Sequence, residues 1–107
     1  MSKKYDVGKP RMDLLPPIAQ EQVAEAFTYG ANKYAPWNYL NEGLDTSRLF
    51  AATIRHLNEW NKGNDIDPES NVSHLGHAGA NIAMLIETLK HYPNKDDRFK
   101  KLKLYEN

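Results

Sequence analysis

Apolar positions recur with helical spacing in three stretches of the chain, and turn-forming residues separate them. In the first, Ile18, Ala19, Val23, Ala26, Phe27, Gly30 and Tyr34 follow a 3.6-residue period. Proline is tolerated in a first helical turn, where its missing N–H is not needed, so the pattern predicts a helix over residues 17–34. In the second, Leu49, Phe50, Thr53, Ile54, Leu57 and Trp60 should turn inward. Asp45, Thr46 or Ser47 can accept hydrogen bonds from that helix's first amides, and Gly63 suits a left-handed cap at its end. These signals predict a helix over residues 46–62. The third stretch carries Leu75, Ala78, Ile82, Leu85, Ile86 and Leu89 and predicts a helix over 71–91, with Pro93 as its stop.

The remaining segments read as loops. Gly8 and Pro10 discourage regular structure in residues 1–15, and 35–43 forms an ordered aromatic loop around Pro36, Trp37 and Tyr39. No stretch alternates in the manner of a strand. The expected fold is all-α: a compact bundle of three main helices with an N-terminal basic loop and a charged C-terminal tail. Residues 1–92 form the single helical domain. Residues 93–107 are dense in Lys and Asp and fit either a short helix or a partly disordered extension.

Composition narrows the possible chemistry. A chain of 107 residues is one domain, and small domains often gain stability by self-association, so a homo-oligomer is expected. Lys plus Arg and Asp plus Glu both number 14, which gives no broad face for nucleic acid. Cysteine is absent, excluding disulfides and thiolate zinc sites. No apolar run suits a membrane span and the start is polar, so the expected location is cytoplasmic with no membrane partner.

His74, His77 and Asn81 stand at i, i+3 and i+7, one stripe of the third helix, and His56 lies on the helix before it. The acidic loop Asp65-Ile66-Asp67-Pro68-Glu69-Ser70 separates them. Two readings fit this grouping. It can be a polar seam whose acidic residues cap a helix, or a site in which His56, Asp67, His74 and His77 hold a divalent metal. Imidazole suits zinc or manganese, and carboxylates extend the range to magnesium. Lys9 and Arg11, with Lys33 and Arg55, offer cations for phosphate groups. Trp37, Tyr29, Tyr34 and Tyr39 suit either a core or a base-stacking wall. Walker A, Rossmann and Ser-His-Asp patterns are absent.

Several motifs in order carry a family resemblance. They are Gly8-Lys9-Pro10-Arg11-Met12-Asp13-Leu14-Leu15-Pro16-Pro17, Tyr29-Gly30-Ala31-Asn32-Lys33-Tyr34, Asn38 and Arg55-His56-Leu57. The acidic loop, His74-Leu75-Gly76-His77-Ala78 and Asn81 complete the set. The pattern resembles the phage-associated domain named for the N-terminal part of dATP/dGTP diphosphohydrolases, over about residues 6–90. That resemblance implies phage nucleotide metabolism, in which purine deoxynucleoside triphosphates are cleaved to monophosphate and pyrophosphate. In longer relatives a domain similar to the MazG-type all-α pyrophosphohydrolases carries acidic metal-binding helices. His74-Leu75-Gly76-His77 takes a comparable i, i+3 spacing with imidazoles in place of carboxylates.

The resulting expectation is a metal-dependent phosphohydrolase acting on purine nucleotides, or on a nucleotide-derived signal such as a cyclic dinucleotide, in an infected host cell. Glu69 or Glu25 would serve as general base. Lys9, Arg11, Lys33, Trp37, Asn38, Arg55 and Asn81 would hold the nucleotide. The alternatives are a nucleotide-sequestering protein that counters host defence without chemistry, and an oligomeric assembly module for a separate pyrophosphohydrolase.

Overall fold

The computed structural model describes residues 5–99, and the distal part of the expected tail lies outside them. Three helices form where the periodicity places them: α1 spans Pro17–Lys33, α2 Thr46–Asn61 and α3 His74–His91. Short 3-10 turns at Met12–Leu14, Asn38–Leu40 and Pro93–Lys95 complete the regular structure of the described residues. The architecture is all-α. An isolated bridge between Ile66 and Ser73 closes the acidic loop.

The helix ends follow from local chemistry. Pro17 opens α1, and Gly63 follows α2 with a φ of 99°, a region open to glycine at little steric cost. α3 begins later than the expected residue 71 because Ser73 is its cap, its Oγ accepting from Gly76 N at 2.9 Å. The cap of α2 comes from distant sequence. Asp97 Oδ1 accepts from Ser47 N and from Thr46 Oγ, both at 2.8 Å, so the segment after α3 ties down the start of α2. Nearby, Tyr92 Oη donates to Leu40 O and anchors the aromatic turn to the end of α3.

α2 and α3 pack antiparallel, and α1 lies across α3 at very close range. A Cβ built on Gly76 would stand 2.6 Å from Gln22 O, and one on Gly79 would stand 2.7 Å from Val23 Cγ2. Only glycine permits that approach. Ser73 Oγ donates to Gln22 Oε1 across the same seam at 2.7 Å. Ala26, Val72 and Ala80 form the buried centre, with Val23, Phe27, Tyr29 and Met84 packed around it.

The expected core faces need correction. On α2, Leu49 and Thr53 turn inward as expected and Thr46 is buried with them, but Phe50, Ile54, Leu57 and Trp60 are exposed. On α3, Ala78 is buried as expected, together with His74, Asn81 and Thr88, while Leu75, Ile82, Ile86 and Leu89 are exposed. Ile18 of α1 and Tyr34 just after it are also exposed. Small and polar side chains fill the α2–α3 contact because the helices approach closely there. The large apolar stripes are rotated toward the outer side of the pair.

Candidate functional site

The antiparallel packing of α2 on α3 brings the three histidines into contact. His56 Nδ1 lies 2.9 Å from His74 Nδ1, and the His56 ring stacks on His77 with centroids 4.7 Å apart and planes 13° from parallel. A hydrogen bond between two Nδ1 atoms needs one donor and one acceptor, so the two rings carry different tautomers. Burial pushes His56 below the ordinary imidazole range, and the neighbouring His77 and His74 push it the same way. Burial also lowers His77, with Asp67 opposing part of that effect. Both rings are therefore favoured in their neutral form.

Donor accounting assigns the His77 tautomer. Burial pushes the Asp67 carboxyl up, but hydrogen bonds from the Ser70 hydroxyl and amide, with His77 nearby, outweigh it and hold the group below its usual range. The carboxylate can only accept, so Ser70 Oγ donates to Asp67 Oδ2 at 2.6 Å. That hydroxyl has no second proton, and it lies 2.7 Å from His77 Nε2. His77 Nε2–H must then be the donor to Ser70 Oγ, and Val72 N donates to the same oxygen at 3.2 Å. The result is a fully satisfied relay from His77 through Ser70 to Asp67. It leaves Nδ1 of His77 with an available lone pair.

The four expected metal residues are thus gathered, but as hydrogen-bond partners of one another and of Ser70. Among the described residues no three His, Asp or Glu side chains are arranged to hold a metal ion. The expected bases fare differently. Glu69 Oε1 accepts from Lys33 Nζ at 3.0 Å and from Tyr29 Oη at 3.1 Å, and these two bonds, Lys33 first, hold its carboxyl down. Lys33 is raised by the same contact, an exposed ion pair outside the lining of the cavity described below. Glu25 is exposed on α1 and has no hydrogen bond or ion pair among the described residues.

Beside the histidines, a cavity of about 800 Å³ opens between α1, the aromatic turn, α2 and α3. Phe27, Tyr34, Trp37 and Tyr39 provide its aromatic wall, with Tyr39 tilted against Phe27 at 5.7 Å and against Trp37 at 6.4 Å. Trp37 has a φ of 63°, a left-handed conformation that costs a bulky residue about 1–3 kcal/mol and persists only where surroundings impose it. Asn38, Arg48, Arg55, His77 and Asn81 supply polar lining. Asn81 is only 9% exposed, and its side chain forms no hydrogen bond to another described residue, so its amide, which reaches the cavity's solvent, keeps a donor and an acceptor for a ligand. Arg48 and Arg55, both exposed on the cavity wall, pair with no carboxylate among the described residues and keep their forked donors free.

The N-terminal cations stand apart. Lys9 and Arg11 belong to a separate recess formed by residues 6–13, where Arg11 forks onto Asp13 at 3.2 and 2.7 Å. The structure therefore brings together His56, Asp67, His74 and His77 in the relay cluster, and Trp37, Asn38, Arg55 and Asn81 in the cavity. It does not bring in Lys9 or Arg11. Sequence reasoning missed Arg48 and Ser70. The available signals were the i, i+7 spacing of Arg48 and Arg55 and the i, i+7 spacing of Ser70 and His77.

Comparison with known proteins places the chain in a family. The family model described as dATP/dGTP diphosphohydrolase, N-terminal, matches residues 1–98. A relative from Salmonella phage PMBT28 named dATP/dGTP diphosphohydrolase is 36% identical over 95 residues, covering 89% of this chain and 32% of the relative. The chain thus spans about a third of the relative's length. No solved structure matches the chain. No helix among the described residues is long and apolar enough to cross a membrane. The chain belongs to the dATP/dGTP diphosphohydrolase N-terminal family.

Proposed function

We propose that this family member binds a purine nucleoside triphosphate in the cavity and takes part in its hydrolysis to the monophosphate and pyrophosphate. One observation carries the reading: two unpaired arginines and an asparagine whose side chain has no partner among the described residues line the same cavity as an aromatic wall and His77. The aromatic rings offer a stacking surface to a base, a contact worth about 1–3 kcal/mol per base. Asn81 presents both hydrogen-bond roles to a purine edge. Arg48 and Arg55 match phosphate oxygens with forked donors.

His77 is the proton acceptor in this proposal. Its Nδ1 takes a proton from the attacking water as that oxygen bonds to phosphorus and the bond to the departing pyrophosphate breaks. The imidazolium that forms keeps its Nε2–H on Ser70, with the Asp67 carboxylate 3.6 Å away to stabilise the positive charge. The proposed setting is the cytoplasm of an infected cell, consistent with the phage origin of the named relative. No metal takes part in the proposed step.

A second reading is favoured by the length relation, because the chain spans only about a third of its named relative. In it, the cavity binds the nucleotide and the bond is broken elsewhere. A cyclic dinucleotide offers the same base and phosphate chemistry and is the comparison ligand. Calorimetric titration with dATP, dGTP and a cyclic dinucleotide, paired with product analysis, tests both. Hydrolysis works through His77 if His77→Gln keeps binding and loses turnover. Tight binding without turnover in the unaltered chain selects the second reading, and absence of binding removes both.

A further inference from the structure

We infer that the outer face of the α2–α3 pair is a homodimer interface, covered by the same face of a second copy of this chain. On α2, Phe50, Ile54, Leu57 and Trp60 follow one another at steps of four, three and three residues. Alongside them on α3 run Leu75, Ile82, Ile86 and Leu89. These eight side chains are between 37% and 64% exposed, and the two stripes lie side by side on the face turned away from the cavity. Arg48 and Arg55 of α2 and His77 and Met84 of α3, which line the cavity, occupy the opposite helical phases.

What the protomer buries makes the case stronger. Its buried hydrophobic residues are Ala26, Leu49, Val72, Ala78 and Ala80, and its largest fully buried side chain is Thr88. Among the described residues no Phe, Trp, Ile or Met is buried. A small domain gains most of its stability from burying large apolar groups, and this one leaves the greater part of them exposed. With full side-chain surfaces of roughly 150–250 Å² for the largest of them, the eight expose on the order of 700 Å². That exceeds the roughly 300–600 Å² patch of an ordinary monomer and approaches the ~800 Å² per partner of a standard interface.

The character of the patch selects a second copy as the occupant. No charged residue interrupts either stripe, and the chain has no net charge, so two copies meet without repulsion. A face made of two antiparallel stripes is self-complementary about a two-fold axis. Pairing it with itself converts two helix pairs into one four-helix core, with both cavities left open on the outside. The inference stands independently of the nucleotide reading, because none of the eight side chains lines the cavity.

Sedimentation equilibrium of the purified full chain over a wide dilution series tests this, together with Phe50→Glu and Ile86→Glu. Both positions are more than 60% exposed, so the protomer itself tolerates the change. The expected result is a dimer for the unaltered chain and monomers of unchanged helical content for both variants. A monomer at every concentration, or a dimer that survives both substitutions, overturns the inference. Should the glutamate variants fail to fold, Trp37→Phe leaves Trp60 as the sole tryptophan. Shielding of Trp60 from a neutral quencher in that variant supports the interface, and quenching typical of an exposed indole contradicts it.

Discussion

Ser70 Oγ lies 2.7 Å from His77 Nε2, and because the serine proton is committed to Asp67, the histidine must donate. This one contact sets the tautomer of the ring that lines the cavity. It turns an acidic loop and a helical histidine into a single proton-handling unit.

Ser70→Ala should uncouple that unit. His77 Nε2 and Asp67 lose their shared partner in a partly buried place, which typically costs about 1–3 kcal/mol. Chemical denaturation should show the loss. In a turnover assay, kcat should fall while KM stays nearly constant, since Ser70 orients the base and is not among the residues lining the cavity. A fall in nucleotide affinity with kcat unchanged would contradict the relay.

Acidification should weaken the fold in two windows. The folded values of His56 and His77 lie below 6.5, so above that pH both states are neutral and no penalty exists. As pH falls below 6.5 the unfolded chain takes up protons that the folded chain refuses, and stability drops until the folded values are passed. Asp67 and Asp97 are depressed below 3.8 and add a second loss as pH falls from there through their folded values. Urea midpoints measured from pH 8 downward should be level first and then decline through the histidine window. A midpoint that rises between pH 6.5 and 5 would oppose the assignment. Turnover should share the sign, with an acid limb displaced below 6.5, because His77 works only when neutral.

Gly76→Ala should destabilise the domain although alanine is the better helix former by roughly 1 kcal/mol. The added Cβ meets Gln22 O at 2.6 Å, backbone that cannot yield without moving α1 off α3. Overpacking of this kind costs about 1–3 kcal/mol. The variant's melting temperature should fall, and a rise would show that the α1–α3 seam is looser than described.

The helices were legible in the sequence because their signals are local. Pro17, Ser73 and Gly63 act within one turn, and the periods of α1, α2 and α3 are unbroken. Which apolar positions face inward was only partly legible: Leu49, Thr53 and Ala78 are buried as their spacing implied, and the larger stripes are not. Phe50, Ile54, Leu57 and Trp60 mark an apolar stripe whether the cover comes from the same chain or from another, and periodicity cannot separate the two. The histidines were legible through their spacing. Their roles were not, because the serine that redirects His77 and the mutual bond of His56 with His74 depend on how α2 and α3 meet. Lys9 and Arg11 looked suited to phosphate by type alone, and Asp13, two residues on, occupies Arg11.

The most direct measurement is titration of the purified chain with dGTP and dATP by calorimetry, repeated for Arg55→Ala and Asn81→Ala. Neither side chain has a partner among the described residues, so neither substitution should unfold the protein. The expected result is saturable binding that each substitution weakens about tenfold or more, in line with the loss of a charge-assisted or buried hydrogen bond. Binding unchanged in both folded variants, or no binding by the unaltered chain, would contradict a nucleotide site in this cavity.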